Sequence, residues 1–515
     1  MRIYNEHYYR DFDELVKKIE TSSSILKISS NFGFSDKEVQ SRLIQQIVNH
    51  TFVHYFHIYK NFAKSDYSIT KDSNSLLKMS GITFNKKDNS IKISSRLFFF
   101  SIVKCLGVYS LQFYELIKTM FLKKRHILDS YSIMLDHGTI DFNNDISVNS
   151  FLSFCESGEV SILKSKYKII KSNYKIKNVY KNFSTSTNPI IYALNDARIC
   201  RYDLFTLLIK STFNFIKILI QSCRFPLFSI VSYDFVKIPI VFYLNQKNLL
   251  NNFVFTTSSM HLQPIWTRPF IEKTFSSHFI NYSNNNVKFQ YKDNPFNYHY
   301  PILRHIRVDE QWVWNRDQGI MYLNLGHRGK INITGPILFY LPNFAKSDLK
   351  SSKVRIAIFD ITPVLPNIIE TMACMHYYYT TETVTSFLEH ILEVVDQISN
   401  EIDYEIEIIL KNKRSFKDKF HDPAYLINID NLQNKYKNFI TTNFNDNLFS
   451  LINDSDLTIT IPYSSVSFVS AFLNKPAIFY DSTGSLLLPI SDEQEIMYIN
   501  RKDELYTSLK NIIIK

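Results

Sequence analysis

Glycine is scarce in this chain. Only 10 of its 515 residues are glycine, whereas proteins average roughly 7%. Neither of the glycine-rich phosphate loops, G-x-G-x-x-G or G-x-x-x-x-G-K-[ST], occurs in the sequence. A phosphate group would therefore have to be bound by helix N-termini, hydroxyl groups and basic side chains.

Cysteine is also rare, odd in number and scattered, with no C-x-x-C pair. The five cysteines are Cys105, Cys155, Cys200, Cys223 and Cys374. This distribution argues against a disulfide framework or a zinc ribbon, and it suits a reducing, cytoplasmic compartment. The first twenty residues carry acidic side chains and no apolar core, which argues against a signal peptide.

The sequence contains no uncharged apolar run of the ~18 residues that a membrane span needs. The two nearest candidates are residues 97–122, interrupted by Lys104, Glu115 and Lys118, and residues 205–220, interrupted by Lys210 and Lys217. We therefore expect neither to be a span. Residues 97–125 are typical of a long amphipathic helix, which either packs on a core or lies on a membrane surface.

Charge is unbalanced in favour of cations. Lys and Arg number 59 against 48 Asp and Glu, which gives a net charge of +11. Such an excess suits nucleic acid, an anionic membrane face or a phosphate-bearing substrate, although a diffuse excess is also typical of an ordinary solvated surface. Because no helix-turn-helix, zinc-finger or RNP pattern is present, a nucleic-acid partner is not expected.

The length allows two or three domains, and the last third has a clear α/β pattern. Val384, Phe387, Leu388, Ile391, Leu392, Val395 and Ile398 share one helical face, opened by Thr381 as an expected N-cap. Buried-type strands are predicted at 354–359, 404–410, 438–442, 457–461, 476–480 and 497–499. Strands that alternate with helices predict a parallel, doubly wound sheet, which binds ligands at the carboxyl ends of its strands.

The region upstream is predicted as the later part of another α/β domain. Short apolar runs at 227–231, 238–244, 253–257 and 279–282 have strand character. Gly335-Pro336 suits a hinge between two sheets. The predicted organisation is therefore a helical region over 1–95, an α/β domain over 96–335 and a second α/β domain over 336–515.

Polar residues follow the predicted strands of the last domain. The expected ligand-binding residues are Thr362, Lys411, Lys413, Arg414, Pro462, Tyr463, Ser464, Ser465 and Asp481. The serine pair opens a helix, whose N-terminus offers free N–H groups and about half a positive charge. Simple N-capping is the alternative for the serine pair, and a solvated strand end is the alternative for the basic cluster at 411–414. The presence of the serine pair and the basic cluster at one sheet edge favours a nucleotide phosphate pocket.

Residues 458–484 resemble a bacterial polysaccharide-biosynthesis family named for a Pro-Phe-Thr-Ser motif. The motif reads Pro462-Tyr463-Ser464-Ser465 in this sequence, which keeps the aromatic ring and the hydroxyl groups. FDITP at 359–363, LKNKR at 410–414, the upstream FTTSS…QPIW and the WVW…GPI stretch support the resemblance. It covers roughly residues 225–490.

The resemblance implies a glycosyltransferase of the type with two Rossmann-like domains facing each other across a cleft (GT-B), which acts in capsule or lipopolysaccharide assembly. The chain also looks like the bacterial sialyltransferases of that type, which implies that Ser464 and Ser465 bind the phosphate of a CMP-sugar, such as an activated nonulosonic acid. The expected partners are a nucleotide-sugar donor, a saccharide or glycolipid acceptor and the anionic surface at the inner face of the plasma membrane. The nucleotide sugar is a substrate, and no cofactor is expected.

The expected mechanism is direct, inverting displacement, with a base in the N-terminal half that removes the acceptor proton. His261 follows a strand and a hydroxyl-rich run, while Asp309 and Glu310 precede a tryptophan-rich segment that is predicted to be amphipathic as far as Leu323. These three are the candidate bases. The expected acceptor-side residues are Thr257, Ser258, Ser259 and Trp266. No D-x-D signature ends a strand near the site, so no metal is expected. The alternative function is a non-catalytic protein of the same fold that binds nucleotide or polysaccharide.

Overall fold

The structure of this chain is a computed structural model, and the chain divides into two units. The N-terminal unit comprises residues 7–282 and 301–339, and the C-terminal unit comprises residues 340–515 together with 283–300. The structure describes residues 16–28, 32–62, 80–121, 130–135, 167–171, 183–255, 263–336, 353–365, 377–413, 421–487 and 496–514, with short gaps at 86, 198, 269, 271–272, 282, 285–288, 293, 299–300, 364, 403, 445 and 463.

Helices and strands alternate along most of the C-terminal unit, whereas the N-terminal unit has several helices or several strands in succession. The helices are α1 (Ser23–Leu26), α2 (Asp36–Phe62), α3 (Ser95–Phe121), α4 (Pro189–Asp196), α5 (Arg201–Arg224), α6 (Ser232–Phe235), α7 (Ile238–Gln246), α8 (Arg316–Asn324), α9 (Thr381–Ser399), α10 (Pro423–Lys435), α11 (Leu448–Asn453), α12 (Ser465–Phe472) and α13 (Lys502–Ile514). The strands are β1 (Ile82–Asn85), β2 (Ser90–Ile93), β3 (Tyr131–Met134), β4 (Tyr167–Lys171), β5 (Phe183–Ser186), β6 (Leu250–Phe255), β7 (Ser276–Ile280), β8 (Phe289–Tyr291), β9 (Asn294–Tyr298), β10 (Glu310–Val313), β11 (Lys330–Ile333), β12 (Lys353–Phe359), β13 (Glu405–Lys411), β14 (Phe439–Thr442), β15 (Leu457–Thr460), β16 (Ala477–Tyr480) and β17 (Ile496–Ile499).

The C-terminal unit is built on a parallel sheet of six described strands in the order β14-β13-β12-β15-β16-β17. All six predicted strands are present, and the sheet buries most of their apolar residues, with β15 and β16 buried throughout. Helix α9 covers the sheet, and its seven predicted apolar residues are all buried. The predicted N-cap is off by one residue: the hydroxyl of Thr380, not Thr381, accepts the N–H of Thr383.

The N-terminal unit contains a second parallel sheet, with seven described strands in the order β5-β4-β3-β6-β7-β10-β11. The described part of the chain before residue 95 contains α1, α2 and the β1–β2 hairpin, and residues 16–20 are also helical. The structure confirms the predicted fold class. It contains two parallel α/β sheets and, before them in sequence, a mainly helical region; two such sheets are the domain content of the GT-B type.

Two of the upstream strand predictions are wrong. Residues Pro226–Val231 form a 3₁₀ helix, and Ile238–Gln246 forms α7. Each helix has a proline in its first turn, where the missing N–H is not needed. A short apolar run has no periodicity that separates a strand from a helix, so the sequence pattern did not distinguish the two here.

The segment that begins at Asp309 also differs from the prediction. It is not one amphipathic segment reaching Leu323, since Glu310–Val313 forms the buried strand β10. Helix α8 begins only at Arg316, where the side chain of Asn315 caps it by accepting the N–H of Gln318 at 2.9 Å.

Helices α3 and α5 pack against each other in the N-terminal unit. Tyr109 stacks on Phe215 with ring centroids 4.1 Å apart, and its hydroxyl lies 2.9 Å from that of Thr212. Thr119, near the end of α3, bonds Asn195, which precedes α5, so the two helices run antiparallel. By length and composition α3 is the one continuous helix among the described residues that could cross a membrane, and 17% of its apolar window is buried; residues 226–246 pass the same test as a bent pair.

Candidate functional site

The strand order of the C-terminal unit reverses direction at one point. From β12 the chain adds β13 and β14 on one side, then returns to add β15, β16 and β17 on the other side. In doubly wound sheets the helices on either side of such a switch point diverge, which opens a crevice at the carboxyl ends of the two strands. We call the carboxyl ends of β12 and β15 the switch-point crevice of this unit.

Helix α12 begins at this crevice, directly after β15. Its serines explain the close packing: Thr458 on β15 hydrogen-bonds Ser470 at 2.8 Å, and Thr460 bonds Ser467 at 2.6 Å. Small hydroxyl side chains on the inner face let the helix lie close to the strand while their polar groups stay paired. The N-terminus of α12 is therefore held firmly beside the carboxyl end of β15.

The serine pair of the predicted motif occupies the first positions of α12. Ser464 is the N-cap, with its hydroxyl accepting from the N–H of Val466, and Ser465 is the first helical residue. Ser464 is buried. Pro462 lies in the preceding turn, where its carbonyl accepts the hydroxyl of Tyr379 at 2.9 Å. Tyr463 lies outside the described residues. The hydroxyl groups at a helix N-terminus give the crevice groups that can bind an anion.

Residue 284 also contributes to this site, although it lies between the strands of the other sheet in sequence. The backbone N–H of Asn284 donates to the Ser465 hydroxyl at 3.0 Å. Both residues belong to the C-terminal unit. Sequence reasoning missed Asn284 because the two residues are 181 positions apart and nothing in the local sequence links them.

Asp360 directly follows β12 on the other side of the crevice and is buried. Its carboxylate accepts the backbone N–H of Lys413 at 3.0 Å and the hydroxyl of Tyr425 at 2.6 Å. Burial raises its pKa to about 6, against the lowering effect of those hydrogen bonds and of the nearby lysines. Asp360 therefore changes its protonation state in the mildly acidic range. Thr362 follows it and is buried in the same loop.

The predicted basic cluster follows β13, the neighbour of β12 on the side away from β15. The ammonium group of Lys411 donates to the carbonyl of Phe444 at 2.7 Å, in the loop after β14. Burial lowers the pKa of Lys411, although Asp446 and Asp360 oppose this effect. Lys413 has an exposed side chain, and Arg414 lies outside the described residues. The described contacts of Lys411 therefore do not bring it together with the serine pair, and its role in phosphate binding stays a prediction.

Asp481 follows β16 and organises its own loop. Its carboxylate accepts the hydroxyl of Tyr378 at 2.6 Å, two groups of Thr483 and the N–H of Leu486 at 2.9 Å. Three of these bonds are accepted by Oδ1 and one by Oδ2, so the observed contacts of Asp481 hold its own loop together. Next to it, the main chain and side chain of Lys292 bond the carbonyls of Ser485 and Gly484.

The sheet of the N-terminal unit also has a switch point, between β3 and β6. Strand β6 ends at Phe255, and the predicted residues Thr257, Ser258, Ser259 and His261 follow it in sequence but lie outside the described residues. Trp266 is described and buried, with its ring packed edge-on against Phe253 at 5.3 Å. The ammonium group of Lys237 lies 5.6 Å from the centroid of the same ring, so the observed contacts of Trp266 are with residues of its own unit.

Asp309 and Glu310 lie at the opposite edge of this sheet, at the amino end of β10. Asp309 pairs with Lys273 and accepts the N–H and the hydroxyl of Ser277 at 2.6 and 2.8 Å. Burial raises the pKa of Asp309, but Lys273 and Ser277 outweigh it and hold the pKa below its usual range. Glu310 accepts the side-chain amide of Asn332 at 2.7 Å. Both carboxylates thus have structural partners away from the carboxyl ends where parallel sheets bind ligands.

Metal binding finds no support in the part of the chain that the structure describes. No group of three or more His, Cys, Asp or Glu side chains there is arranged to hold a metal ion.

Comparison with known proteins gives one family match. The profile of a family described as polysaccharide biosynthesis PFTS motif protein matches residues 213–509, more than half of the chain. The matched region includes β12 to β17 and α12 with its serine pair. No curated protein matches the chain.

Several solved structures are similar to this chain at low identity. The wall teichoic acid polymerase TagF is 13% identical over 81% of this chain and 89% of that chain, with a TM-score of 0.38. The UDP-GlcNAc 2-epimerase from Methanocaldococcus jannaschii is 12% identical over 75% of this chain and 93% of that one, with a TM-score of 0.40. An apo structure of OtsA is 10% identical over 75% and 91%, with a TM-score of 0.37.

Proposed function

The chain belongs to the polysaccharide biosynthesis PFTS motif family, and from this premise we propose that it is a glycosyltransferase. It moves a sugar from a nucleotide-activated donor to a growing surface polysaccharide or lipopolysaccharide. The observation that carries this proposal is the switch-point crevice of the C-terminal unit, where α12 begins with two serines beside the end of β15. A helix N-terminus with hydroxyl groups supplies a phosphate site in a chain that lacks glycine-rich loops.

The residues at the crevice suit the departing phosphate of the donor. As the glycosidic phosphate bond breaks, negative charge grows on the phosphate, and the N-terminus of α12 with Ser464 and Ser465 stabilises it. Displacement is direct and inverting, without a metal ion. A CMP-sugar, such as an activated nonulosonic acid, is the first donor to test.

A base must take the proton of the acceptor hydroxyl, and His261 is the first candidate. It follows β6, one of the two strands that border the switch point of the N-terminal sheet. The ordinary pKa of histidine, ~6.5, suits proton removal near neutral pH. Asp309 and Glu310 rank below it because of their structural partners at the amino edge. The single variants His261→Ala, Asp309→Asn and Glu310→Gln, assayed for transfer, test this order.

The donor site is tested with the double variant Ser464→Ala, Ser465→Ala. Isothermal titration with CMP, CDP, UDP, GDP and dTDP, and with their sugar conjugates, measures affinity. We expect the variant to bind its nucleotide at least tenfold more weakly than the wild type. Asn447→Ala is the matched control, because Asn447 caps α11 in the same unit but after β14. Both variants lose a helix N-cap that contributes about 1 kcal/mol to stability. The proposed donor site is therefore supported only if the serine variant loses nucleotide affinity and Asn447→Ala does not.

Turnover separates an enzyme from a binding protein of the same fold. A glycosyltransferase hydrolyses its nucleotide sugar slowly without acceptor and transfers the sugar when acceptor is present. Nucleotide binding of normal affinity with no turnover of any donor, in the presence of polysaccharide extract, would instead favour the non-catalytic alternative.

We also propose that the reaction takes place at an anionic membrane surface, to which helices α3 and α5 bind. Both helices expose large apolar side chains at helical spacing. On α3 these are Phe99, Phe100, Val103, Leu106, Leu111, Tyr114 and Phe121; on α5 they are Tyr202, Phe205, Ile209, Phe213, Ile216 and Ile220. Because the helices run antiparallel, their helical wheels put the two stripes on the same side of the pair. We call this surface the apolar helix pair.

The charge of the apolar helix pair suits anionic lipid. The two helices carry seven Lys and Arg against two acids, Glu115 and Asp203, and both acids already pair with lysines. Cations near an anionic leaflet contribute about 1 kcal/mol each, and apolar side chains that enter the interface add to this. Docking rather than spanning is favoured, because Cys105, Gln112 and Leu116 of α3 are buried against the protein.

Vesicle sedimentation tests the membrane proposal. The variant Phe213→Glu, Ile220→Glu should lose at least tenfold in binding to phosphatidylglycerol vesicles. Lys210→Glu with Lys217→Glu should lose binding to these vesicles and keep whatever binding neutral phosphatidylcholine vesicles give. Ile427→Glu on α10, where Ile427 is as exposed as Ile220, is the control and should bind normally. Equal binding by all variants would contradict the proposal, as would a need for detergent to extract the protein.

A further inference from the structure

The described residues of 283–298, which we call the strap, contact the rest of the C-terminal unit at two places, although they are inserted between β7 and β10 in sequence. At the first, the N–H of Asn284 donates to the Ser465 hydroxyl at the start of α12. At the second, Lys292 bonds the carbonyls of Ser485 and Gly484 in the loop after β16. Both contacts lie beyond the carboxyl ends of the strands, so the strap borders the edge that carries the switch-point crevice.

Within this strap, the side chain of Asn284 is in an unusual state. It is fully buried, and neither its carbonyl oxygen nor its amide nitrogen has a hydrogen-bond partner. Among the described residues of the C-terminal unit, no other side-chain amide has both of its polar atoms buried and unpaired. Asn412, which follows β13 at the same edge, has an unpaired carbonyl oxygen. Buried amides are otherwise almost always paired, because an unpaired one destabilises the fold.

We propose that Asn284 is a binding residue of the donor site and that its amide pairs with the nucleotide sugar. The inference rests on the proposed function of the crevice. The backbone of Asn284 touches the first residue of α12, so its side chain lies beside the proposed phosphate site. A bound donor supplies the partners that the unpaired atoms lack.

The chemistry of an amide narrows what it recognises. A carboxamide offers one hydrogen-bond acceptor and one donor group. The phosphodiester group of a nucleotide sugar carries no proton at neutral pH and only accepts hydrogen bonds, so it would leave the carbonyl oxygen of Asn284 unpaired. A group that both donates and accepts satisfies both atoms, and the hydroxyls of ribose or of the transferred sugar and the edge of a pyrimidine base are such groups. Asn284 therefore contacts the nucleoside or the transferred sugar of the donor, and not its phosphodiester group.

The test uses the full chain with Asn284→Leu and Asn284→Ala. Leucine removes the polar atoms but keeps the bulk, and alanine serves if leucine does not fit. Titration with the nucleotides and nucleotide sugars named above should give at least tenfold weaker binding for both variants, while the response to inorganic phosphate stays that of the wild type. The melting temperature of the ligand-free leucine variant should not fall, because an unpaired buried amide has been removed. Asn428→Leu is the control: its amide is paired with Thr385 on α9, so it should lose stability and keep its affinity.

Each outcome decides one point. A loss of affinity for the nucleoside monophosphate places the contact on the nucleoside, and a loss confined to the nucleotide sugar places it on the sugar; either supports the inference. Wild-type affinity in both Asn284 variants overturns it and leaves the proposed donor site intact. A wild-type protein that binds no nucleotide and no nucleotide sugar overturns the proposed function and this inference with it.

Discussion

Replacing Asp360 by asparagine should stabilise the C-terminal unit at neutral pH. The carboxyl group is fully buried and its pKa is raised to about 6 from 3.8, chiefly by burial. A raised carboxyl pKa means that folding favours the protonated form. This contribution is fully present below the unfolded pKa and is lost as the pH rises through the folded one, here between about pH 4 and about pH 6.

The shift sets the size of the effect. A difference of about two pKa units corresponds to about 3 kcal/mol at 1.36 kcal/mol per unit. Asparagine cannot ionise, and it can keep both hydrogen bonds. Its carbonyl oxygen accepts the N–H of Lys413, and its amide donates to the hydroxyl oxygen of Tyr425, which can turn to accept it. We therefore expect Asp360→Asn to gain up to about 3 kcal/mol at about pH 7.5 and nothing at about pH 4.

Urea unfolding, followed by tryptophan fluorescence and by circular dichroism, shows whether the change in stability lies in the C-terminal unit. The three tryptophans, Trp266, Trp312 and Trp314, all lie in the N-terminal unit, so their fluorescence reports that unit alone, whereas circular dichroism reports both. The gain should appear in the circular dichroism transition only. Asp454→Asn, which removes an exposed carboxylate at the end of α11, should have little effect. A variant that is equally or less stable at both pH values would refute the reasoning.

Two further predictions concern the N-terminal unit. Burial lowers the pKa of His278 to about 4 from 6.5. The stabilisation that is present above about pH 6.5 should therefore be lost as the pH falls, by about 3 kcal/mol at most. The urea concentration at the midpoint of the fluorescence transition should fall on acidification, and it should fall less in His278→Gln. At Gly329 a β-carbon would lie 2.3 Å from the carbonyl oxygen of Asp309, so Gly329→Ala should destabilise the fold by roughly 2–3 kcal/mol or more. At Gly107 in α3 a β-carbon would meet no atom within 4 Å, so Gly107→Ala should stabilise the fold by up to about 1 kcal/mol. Equal midpoints for the two alanine variants would contradict the packing described at Gly329.

The sequence predicted the sheet of the C-terminal unit well because its strands are short segments rich in apolar residues and are followed by polar residues. The strand over 354–359, for example, is followed by Asp360, and the structure ends β12 at Phe359. Helix α9 was equally clear, since its apolar residues recur at helical spacing. The position of Ser464 at the start of α12 followed from the same alternation of strand and helix, and the structure confirms it as the N-cap.

The sequence was misleading where periodicity carries no information. Residues 226–246 are apolar on most sides because helices surround them, and their prolines begin helices instead of ending strands. The sequence also does not show at which edge of a sheet a residue lies. Asp309 and Glu310 come before a tryptophan-rich run, and only the parallel pairing of β10 with its neighbours shows that they lie at the amino edge.

Long-range contacts were beyond the reach of local patterns. Asn284 contacts Ser465 although it follows β7 of the N-terminal sheet in sequence, and neither composition nor spacing indicates this contact. The contact of Lys411 with Phe444 depends in the same way on the strand order, which puts β13 between β12 and β14.

A crystal structure of the protein with a bound nucleotide tests the central claim most directly. The nucleotide to use is the one that the titrations find to bind most tightly. We predict that its phosphate lies at the N-terminus of α12, within hydrogen-bonding distance of Ser464 or Ser465, with the nucleoside over the carboxyl ends of β12 and β15. A nucleotide bound at the amino edge of either sheet, or at a site without contact to α12, would contradict the account.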